Sequence, residues 1–273
     1  MKKEINLKTS EEIFRTYYDV IVERSKGDKD LIKTEIPFLD CYVRGLRKSE
    51  LMLVFGEVTM GKTAFVLQLA KNLVFNSKRS VLLFSPENSA YDVARRMIMA
   101  DSGIRNHELY AGKLDESEWL DLSASCSIFS EADITVSDAS YLPLDRLAAT
   151  AEKAVKSGKA DVILIDSLDY TGYSEKAAQK VKALKNIACA NNVPVICTCR
   201  VPFQLNKVNK DAFIRKTGEH ADIVMIIWRE LYEERDKARE AYFHVIKNNR
   251  DQTGSFQMKF DLDRLVFTEH KFE

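Results

Sequence analysis

Hydrophobic positions along the 273-residue chain fall into short runs separated by polar segments. Short runs rich in β-branched and aromatic residues are typical of buried strands, whereas apolar positions spaced three or four apart are typical of helices. Runs of the first kind occupy residues 51–55, 80–85, 134–136, 161–166, 193–198 and 223–228. Helical patterns separate most of these runs. The chain is therefore expected to form an α/β fold with a mainly parallel, twisted sheet flanked by helices.

The two ends of the chain have different patterns. Residues 242–247, 256–260 and 264–268 alternate between apolar and polar positions, which predicts an antiparallel hairpin edge on the sheet. Near the start, Thr9 and Glu12 suit a capping box, and an apolar stripe follows at helical spacing. Residues 1–30 are thus predicted to form an amphipathic, linker-like helix followed by a charged connecting segment. Residues 31–273 are predicted to form one domain. Such a helix can pack on its own domain or on a neighbouring subunit.

A phosphate-binding motif directly follows the first predicted strand. The segment reads Gly56, Glu57, Val58, Thr59, Met60, Gly61, Lys62, Thr63 and Ala64. It fits G-x-x-x-x-G-K-[ST], in which backbone N–H groups surround phosphates at a helix N-terminus. Lys62 is then expected to bind the β- and γ-phosphates and Thr63 to bind Mg²⁺. A glycine loop without a ligand is the alternative. Because a strand precedes the motif and a helix follows it, the sequence predicts a site for ATP and Mg²⁺.

Two carboxylates follow other predicted strands. Asp166 ends the apolar run 162–165, so it is expected to lie at the same sheet edge as the loop and to hold Mg²⁺ through water. Glu87 follows the run 80–85, where a carboxylate can orient and deprotonate the attacking water. An acid favoured by a helix dipole is an equally good interpretation of Glu87 from the residues alone.

Three basic side chains extend the predicted site. Arg200 follows the run 195–199, where it either contacts the γ-phosphate or is a surface residue. Lys247 and Arg250 lie at the C-terminal hairpin. In a ring they can reach the nucleotide of a neighbour, and in a monomer they form a solvated turn.

The balance of charge limits the partners of this chain. Lysine and arginine total 41, as do aspartate and glutamate, which excludes a globally basic nucleic-acid coat. Any DNA contact must be concentrated in loops, and a basic polar loop is expected at Lys207, Lys210, Arg215 and Lys216. The five cysteines lack metal-type spacing and are expected to be buried thiols. A charged N-terminus without a secretory signal and the lack of a membrane-spanning run predict a cytoplasmic protein without a membrane partner.

Several segments resemble the C-terminal motor domain of DnaB-type replicative helicases. They are Gly45-Leu46 with Glu50-Leu51, residues 60–65, residues 84–89, Arg95-Arg96-Met97, Gly112-Lys113-Leu114 with Trp119, residues 162–166, 192–196 and 221–225, and Thr253-Gly254 with Phe260. They occur in the family order and cover about residues 36–269. Because several lie outside the phosphate loop, the resemblance is more specific than that motif alone.

The resemblance implies a RecA-like ATPase domain at residues 31–273. It implies a hexameric ring with ATP between subunits, moving on single-stranded DNA. Lys62 and Thr63 carry over as phosphate and Mg²⁺ ligands, Asp166 as the Walker B acid and Glu87 as the catalytic base. The first helix corresponds to the family's linker helix, which docks on the adjacent subunit.

Departures from the family pattern bear on function. The family's N-terminal domain, which meets primase, is expected to be absent. The resemblance separately implies a helicase loader or primase among the candidate partners. Arg200 stands where the family usually has glutamine. The family's finger motif K-x-R matches at Lys247, but its arginine position holds Asn249, and Arg250 comes one residue late. The DNA-gripping segments 170–180 and 203–219 are shorter than usual.

Three functions are compatible with these features. The first is an ATP-driven helicase or translocase acting on single-stranded DNA in replication. The second is a RecA-like recombination or repair ATPase. The third is a helicase-fold regulator that binds a replicative helicase with weak or no hydrolysis. The intact Lys62, Thr63, Glu87 and Asp166 favour an enzyme, whereas the displaced finger favours the regulator.

Overall fold

One twisted sheet organises the part of the chain that the computed structural model describes, which comprises residues 7–25, 31–172, 176–202, 204–230 and 240–269. The strands are β1 (Leu51–Gly56), β2 (Val81–Phe84), β3 (Ile134–Ser137), β4 (Val162–Ile165), β5 (Val195–Arg200), β6 (Ile223–Arg229), β7 (Glu240–Asn248), β8 (Gly254–Asp261) and β9 (Val266–Glu269). Their order is β3-β2-β4-β5-β1-β6-β7-β8-β9. The strands from β3 to β6 are parallel, and β7, β8 and β9 extend the sheet in antiparallel fashion.

Helices connect the parallel strands, as a parallel sheet requires. The helices of the described residues are α1 (Ser10–Ser25), α2 (Pro37–Val43), α3 (Lys62–Phe75), α4 (Ala90–Ser102), α5 (Asn106–Ala111), α6 (Glu116–Ser130), α7 (Leu144–Lys156), α8 (Ala177–Asn191) and α9 (Lys207–Thr217). Of these, α1 and α2 precede the first strand. Single 3₁₀ turns occupy Leu168–Tyr170 and Gly218–His220. Within the described residues, no helix has the length and hydropathy needed to cross a membrane.

The sheet separates two apolar layers. Successive residues of a strand face opposite sides, so on β1 Met52 and Val54 pack toward α3, whereas Leu51, Leu53 and Phe55 pack toward the layer of α7 and α8. All six residues of β1 are buried. This burial fixes the strand from which the phosphate loop leaves the sheet.

Helix caps match the sequence pattern at several places. Ser89 accepts a hydrogen bond from the N–H of Asp92 at the start of α4, and Asp115 caps α6 in a capping box with Glu118. Thr9 and Glu12 form the predicted reciprocal box, with 2.8 Å from the Thr9 nitrogen to Glu12 Oε2 and 3.3 Å from the Glu12 nitrogen to Thr9 Oγ1. Each of these side chains satisfies N–H groups that the first turn of a helix leaves unpaired.

The structure corrects three sequence-based expectations. The basic segment expected to be a loop is the helix α9, capped by the side chain of Asn206 and held by the buried Ile214. The last strand begins at Val266 rather than at residue 264, because Asp261 accepts backbone hydrogen bonds that form a turn before it. Among the cysteines, only Cys197 and Cys199 are buried, and the other three are exposed. Residues 173–175 and 203, within the predicted DNA-gripping segments, lie outside the described residues.

Candidate nucleotide-binding site

The carboxyl ends of four parallel strands meet at one edge of the sheet and bring together the predicted site residues other than those of the C-terminal hairpin. Gly56 at the end of β1 pairs with Arg200 at the end of β5. Asp166 directly follows β4, which lies beside β5 on one side and β2 on the other. Crevices at this edge are where open α/β sheets bind ligands. A cavity of about 420 Å³ occupies this position.

The phosphate loop runs from Gly56 to the first residues of α3. Gly61, the N-cap of α3, has a φ of 95°, a conformation that favours glycine. The Lys62 ammonium donates to the carbonyl oxygens of Gly56 at 2.9 Å and Glu57 at 2.6 Å. Burial lowers the pKa of Lys62, and the neighbouring Asp166 carboxylate only partly offsets that effect. A poorly hydrated ammonium beside unpaired helix N–H groups suits a phosphate ligand.

Asp166 joins the loop to the centre of the sheet. Its Oδ2 accepts a hydrogen bond of 2.7 Å from Thr63 Oγ1, and its Oδ1 accepts one of 2.6 Å from Thr198 Oγ1. The Asp166 side chain is buried. These two hydroxyls fix the carboxylate beside the threonine of the loop, which is the oxygen-rich arrangement that Mg²⁺ prefers when phosphates complete its coordination.

The donor set also fits magnesium rather than a metal held by protein alone. The described residues contain no group of three or more His, Cys, Asp or Glu side chains that could hold a metal ion. Thr63 and Asp166 are therefore residues that would hold Mg²⁺ together with nucleotide phosphates.

Glu87 and Arg200 contact each other at the lining of the cavity. Arg200 Nη2 lies 3.3 Å from Glu87 Oε1, and both side chains are about two-fifths exposed. The backbone N–H of Arg200 donates to Asp169 Oδ2 at 3.1 Å, which fixes the end of β5. Although burial opposes it, the Glu87 carboxylate helps to hold the pKa of Arg200 above its ordinary value. The cavity thus brings together a carboxylate and a permanent cation next to the phosphate loop.

The cavity also includes side chains that the sequence analysis did not assign to the nucleotide site. Arg229 ends β6, is only 5% exposed and donates from Nη2 to the Thr59 carbonyl at 2.9 Å. Its guanidinium carbon lies 3.8 Å from the centre of the Phe260 ring, and burial lowers its pKa to about 10. Within the described residues, its Nε and Nη1 have no hydrogen-bond partner. Arg96, Leu262 and Leu265 complete this side of the cavity.

The sequence contains a pattern that could have identified Arg229 as a site residue. Arg229 is the charged residue that follows the six apolar residues of β6. It thus lies at a strand end, as Asp166 and Arg200 do. Phe260, in β8, and Leu265, in the turn before β9, do not follow this pattern and reach the cavity only through the fold of the sheet. The lining includes four cationic side chains and two carboxylates, which suits a polyanionic ligand.

Three residues of the predicted loop point away from the cavity. Gly56 contributes its carbonyl oxygen to Lys62. Met60 is buried, and its sulfur accepts from the N–H of Arg229 at 3.1 Å. The Glu57 carboxylate contacts Lys210 of α9. Val58, Thr59, Gly61, Lys62, Thr63 and Ala64 line the cavity.

Lys247 and Arg250, the candidate finger residues, lie at the opposite edge of the sheet, where the parallel strands begin. Arg250 Nε is 2.9 Å from Glu50 Oε1, and its Nη2 donates to the Gly45 carbonyl at 2.9 Å. Lys247 donates to the Glu219 carbonyl at 2.8 Å. A bulge in β7 places one extra residue opposite Val224 and Met225, but Arg250 lies beyond the end of that strand. Both side chains thus contact groups of their own chain.

A phosphate loop and its acidic partner at the carboxyl edge of this sheet, with antiparallel strands added after β6, define a RecA-like P-loop protein. The family follows from the sequence. The chain belongs to the DnaB-like helicase C terminal domain family, whose sequence model matches residues 32–269.

Curated relatives agree with this assignment. The chain is 27% identical over 253 residues to a probable replicative DNA helicase of Trieres chinensis, covering 85% of this chain and 56% of the relative. It is 27% identical to the replicative DNA helicase DnaB of Geobacillus stearothermophilus, covering 96% of this chain and 62% of the relative. The replicative DNA helicase DnaC of Bacillus subtilis is 26% identical, with 95% of this chain and 63% of the relative covered. The chain thus spans less than two thirds of the length of these relatives.

Solved structures share the fold. A solved ATPase domain superposes with a TM-score of 0.85 at 20% identity, covering 97% of this chain and all of that chain. A DnaB-like replicative helicase, described together with its interactions with primase, gives a TM-score of 0.82 at 18% identity and covers 99% of this chain and 69% of that one. The RecA-like architecture expected from the sequence is confirmed.

Proposed function

We propose that this chain binds and hydrolyses ATP and uses the energy to move on single-stranded DNA as a DnaB-like replicative helicase. The observation that carries the proposal is the 2.7 Å hydrogen bond between Thr63 and Asp166 at the phosphate loop, in a chain of the helicase family. This contact joins the two residues that a P-loop enzyme needs for its metal. Magnesium, when bound, neutralises charge on the phosphate oxygens.

The residues around the metal position have distinct roles in this proposal. Lys62 supplies positive charge to the phosphates, and the N–H groups at the start of α3 donate to them. Thr63 and Asp166 would hold the metal, with Thr198 fixing the orientation of Asp166. Because this orientation is set before the ligand arrives, little reorganisation is required during reaction.

Glu87 and Arg200 act on the reacting groups. We assign Glu87 as the general base that orients water and accepts its proton, since its carboxylate faces the cavity. Arg200 stabilises negative charge on the transferred phosphoryl group from within the same subunit. Its contact with Glu87 keeps the guanidinium near the cavity.

Arg229, Phe260 and Leu262 are proposed to contact the nucleoside. The flat guanidinium and the apolar side chains provide a surface for a purine ring, and the unpaired Nε and Nη1 are donors for nucleotide oxygens or ring nitrogens.

The remaining parts of the proposal concern assembly. We propose a cytoplasmic homo-hexamer in which α1 docks on the adjacent subunit and residues 31–273 form the ATPase domain. DNA contacts come from residues 170–180 and 203–219, and a loader or primase is a further partner. The trans finger assigned to Arg250 stays a prediction, because its guanidinium must leave Glu50 and Gly45 to reach a neighbour.

Glu87→Gln tests the enzymatic proposal. The variant lacks a base of suitable basicity but keeps the shape of the side chain, so we expect kcat for ATP to fall by roughly a hundredfold or more with little change in ATP affinity. Glu116→Gln is the matched control, because Glu116 is an acid in the first turn of α6 outside the cavity. Turnover that survives in Glu87→Gln would refute the role of Glu87.

A regulator of another helicase is the second candidate. The observation that favours it is the engagement of Lys247 and Arg250 within their own chain. ATPase rates with and without single-stranded DNA separate the candidates. The helicase proposal requires stimulation by DNA, whereas the regulator requires ATP binding without DNA-stimulated turnover.

A further inference from the structure

Glu57 connects two parts of the molecule through two different groups. Its carbonyl oxygen accepts the 2.6 Å hydrogen bond from the Lys62 ammonium inside the phosphate loop. Its carboxylate forms an ion pair with Lys210 of α9, and the two side chains are 23% and 25% exposed. The residues are 153 positions apart in sequence. One residue of the nucleotide loop is therefore tied directly to α9.

The helix α9 is held to the rest of the domain along one side. Phe213 packs edge-on against Phe55 of β1, with ring centres 6.3 Å apart, and Ile214 is buried. Asn206 caps its first turn by accepting from the N–H of Asn209 at 2.9 Å. Lys210 lies in the first half of the helix, before these apolar contacts, so its pair with Glu57 is a separate attachment to the loop.

Phosphate binding should change the hydrogen bond between the Lys62 ammonium and the Glu57 carbonyl. Lys62 donates to the carbonyls of Gly56 and Glu57, and a phosphate oxygen competes for the same ammonium. When the ammonium turns to phosphate, the Glu57 peptide loses a charge-assisted hydrogen bond. Because the Glu57 carboxylate contacts Lys210, a change at this peptide has a direct route to the N-terminal half of α9.

We infer that the ion pair between Glu57 and Lys210 couples nucleotide binding to the position of α9. The inference rests on the proposed binding of ATP and goes beyond it by naming the contact that transmits the signal. Glu57 and Lys210 are positioning residues in this view. The pair is partly screened by solvent, so the coupling expected is about fivefold in ATP affinity, at the low end for linked sites.

Hydrogen exchange of the α9 amides, measured with and without ATP and Mg²⁺ in the absence of DNA, tests the inference. In the wild-type chain, ATP should change exchange at the start of α9. Glu57→Gln and Lys210→Gln should each remove most of this change. Lys207→Gln is the matched control, because it makes the same charge change one turn earlier on the same helix, and it should keep the response.

The double variant Glu57→Lys with Lys210→Glu separates a specific pair from a general effect of charge. Re-forming the pair in reverse should restore at least half of the wild-type response. A full response in either single variant overturns the inference, and so does a wild-type chain that binds ATP without a response in α9. A wild-type chain that fails to bind ATP by calorimetry overturns the proposed function and the inference together.

Discussion

Arg250 and Glu50 form an ion pair that is largely shielded from water, with side chains 20% and 17% exposed. Burial raises the pKa of Glu50, and the positive charge of Arg250 opposes that rise. The Gly45 carbonyl accepts a further hydrogen bond from the same guanidinium. At the scale of single residues, Arg250 therefore stabilises the amino edge of the sheet, whatever else it does in an assembly.

Replacing Arg250 with alanine should destabilise the fold in a pH-dependent way. The change leaves the Glu50 carboxylate without its nearest cation, and we expect the free energy of unfolding to fall by about 3 kcal/mol at pH 7. A carboxyl group with a raised pKa in the folded state costs stability while ionised. The cost fades as pH falls and is absent below its unfolded pKa of about 4.3. Urea unfolding at pH 7 and pH 4.5 measures the difference.

Adding Glu50→Gln to Arg250→Ala is the control for this prediction. The neutral amide removes the buried charge, so the double variant should recover part of the stability at pH 7 and lose the pH dependence. Equal destabilisation of Arg250→Ala at both pH values would show that packing, rather than charge, holds this site.

At the scale of elements, the phosphate loop is packed against the last strand. A Cβ atom added at Gly61 would lie 2.7 Å from Phe267 Cζ. Gln68 of α3 donates to the Phe267 carbonyl at 2.7 Å and accepts from its N–H at 2.8 Å. The strand β9 thus holds both the loop and the first turns of the helix that follows it.

Gly61→Ala should weaken ATP binding and the fold together. The added methyl group meets both the Phe267 ring and an unfavourable backbone conformation, because the φ of Gly61 is 95°. We expect a loss of roughly 2–3 kcal/mol in stability and weaker nucleotide binding by calorimetry. Phe267→Leu combined with Gly61→Ala should recover only part of the loss, since the backbone strain remains. Complete recovery would mean that the ring contact alone requires glycine.

The sequence predicted those elements whose signal is local. Apolar runs located the parallel strands, and Thr9 with Glu12 located the start of the first helix because a cap is decided by neighbouring residues. The helix α9 was mistaken for a loop because its composition is polar, and its stability depends on Phe213 and Ile214 reaching distant strands. A capping asparagine at position 206 was the available signal.

The difference between local signals and contacts that depend on the fold also explains which site residues the sequence predicted. Lys62, Thr63, Asp166, Glu87 and Arg200 each follow a predicted strand or belong to the loop motif, so sequence alone placed them at one edge. Phe260, Leu262 and Leu265 come from the antiparallel extension, whose position depends on the pairing order of the whole sheet. Neither spacing nor composition predicts such a contact.

At the scale of the whole molecule, α1 exposes an apolar face. Phe14 is 73% exposed and Tyr17 is 61% exposed, although both belong to the apolar stripe of the helix. A helix with this pattern gains stability mainly by packing its apolar face on a partner. The proposed hexamer supplies that partner as an adjacent copy of the domain.

Phe14→Ser combined with Tyr17→Ser should lower the oligomeric mass without unfolding the domain. The side chains bury little surface within the chain, so Tm should change by no more than a few degrees. Light scattering after size exclusion, with ATP and Mg²⁺ present, measures the mass. Asp19→Ser, on the opposite face of the same helix, should leave the mass unchanged. An unchanged mass in the double serine variant would contradict docking through α1.

The packing of Phe267 against Gly61 also bears on the synthesis of the protein. About 200 residues separate the phosphate loop from β9. At 5–20 residues per second, the ribosome completes β9 roughly 10–40 s after the loop. A nascent chain therefore exposes its nucleotide loop before the strand that supports it exists. With ATP as the proposed ligand, we expect full affinity for it only in chains whose residue 269 has left the ribosome.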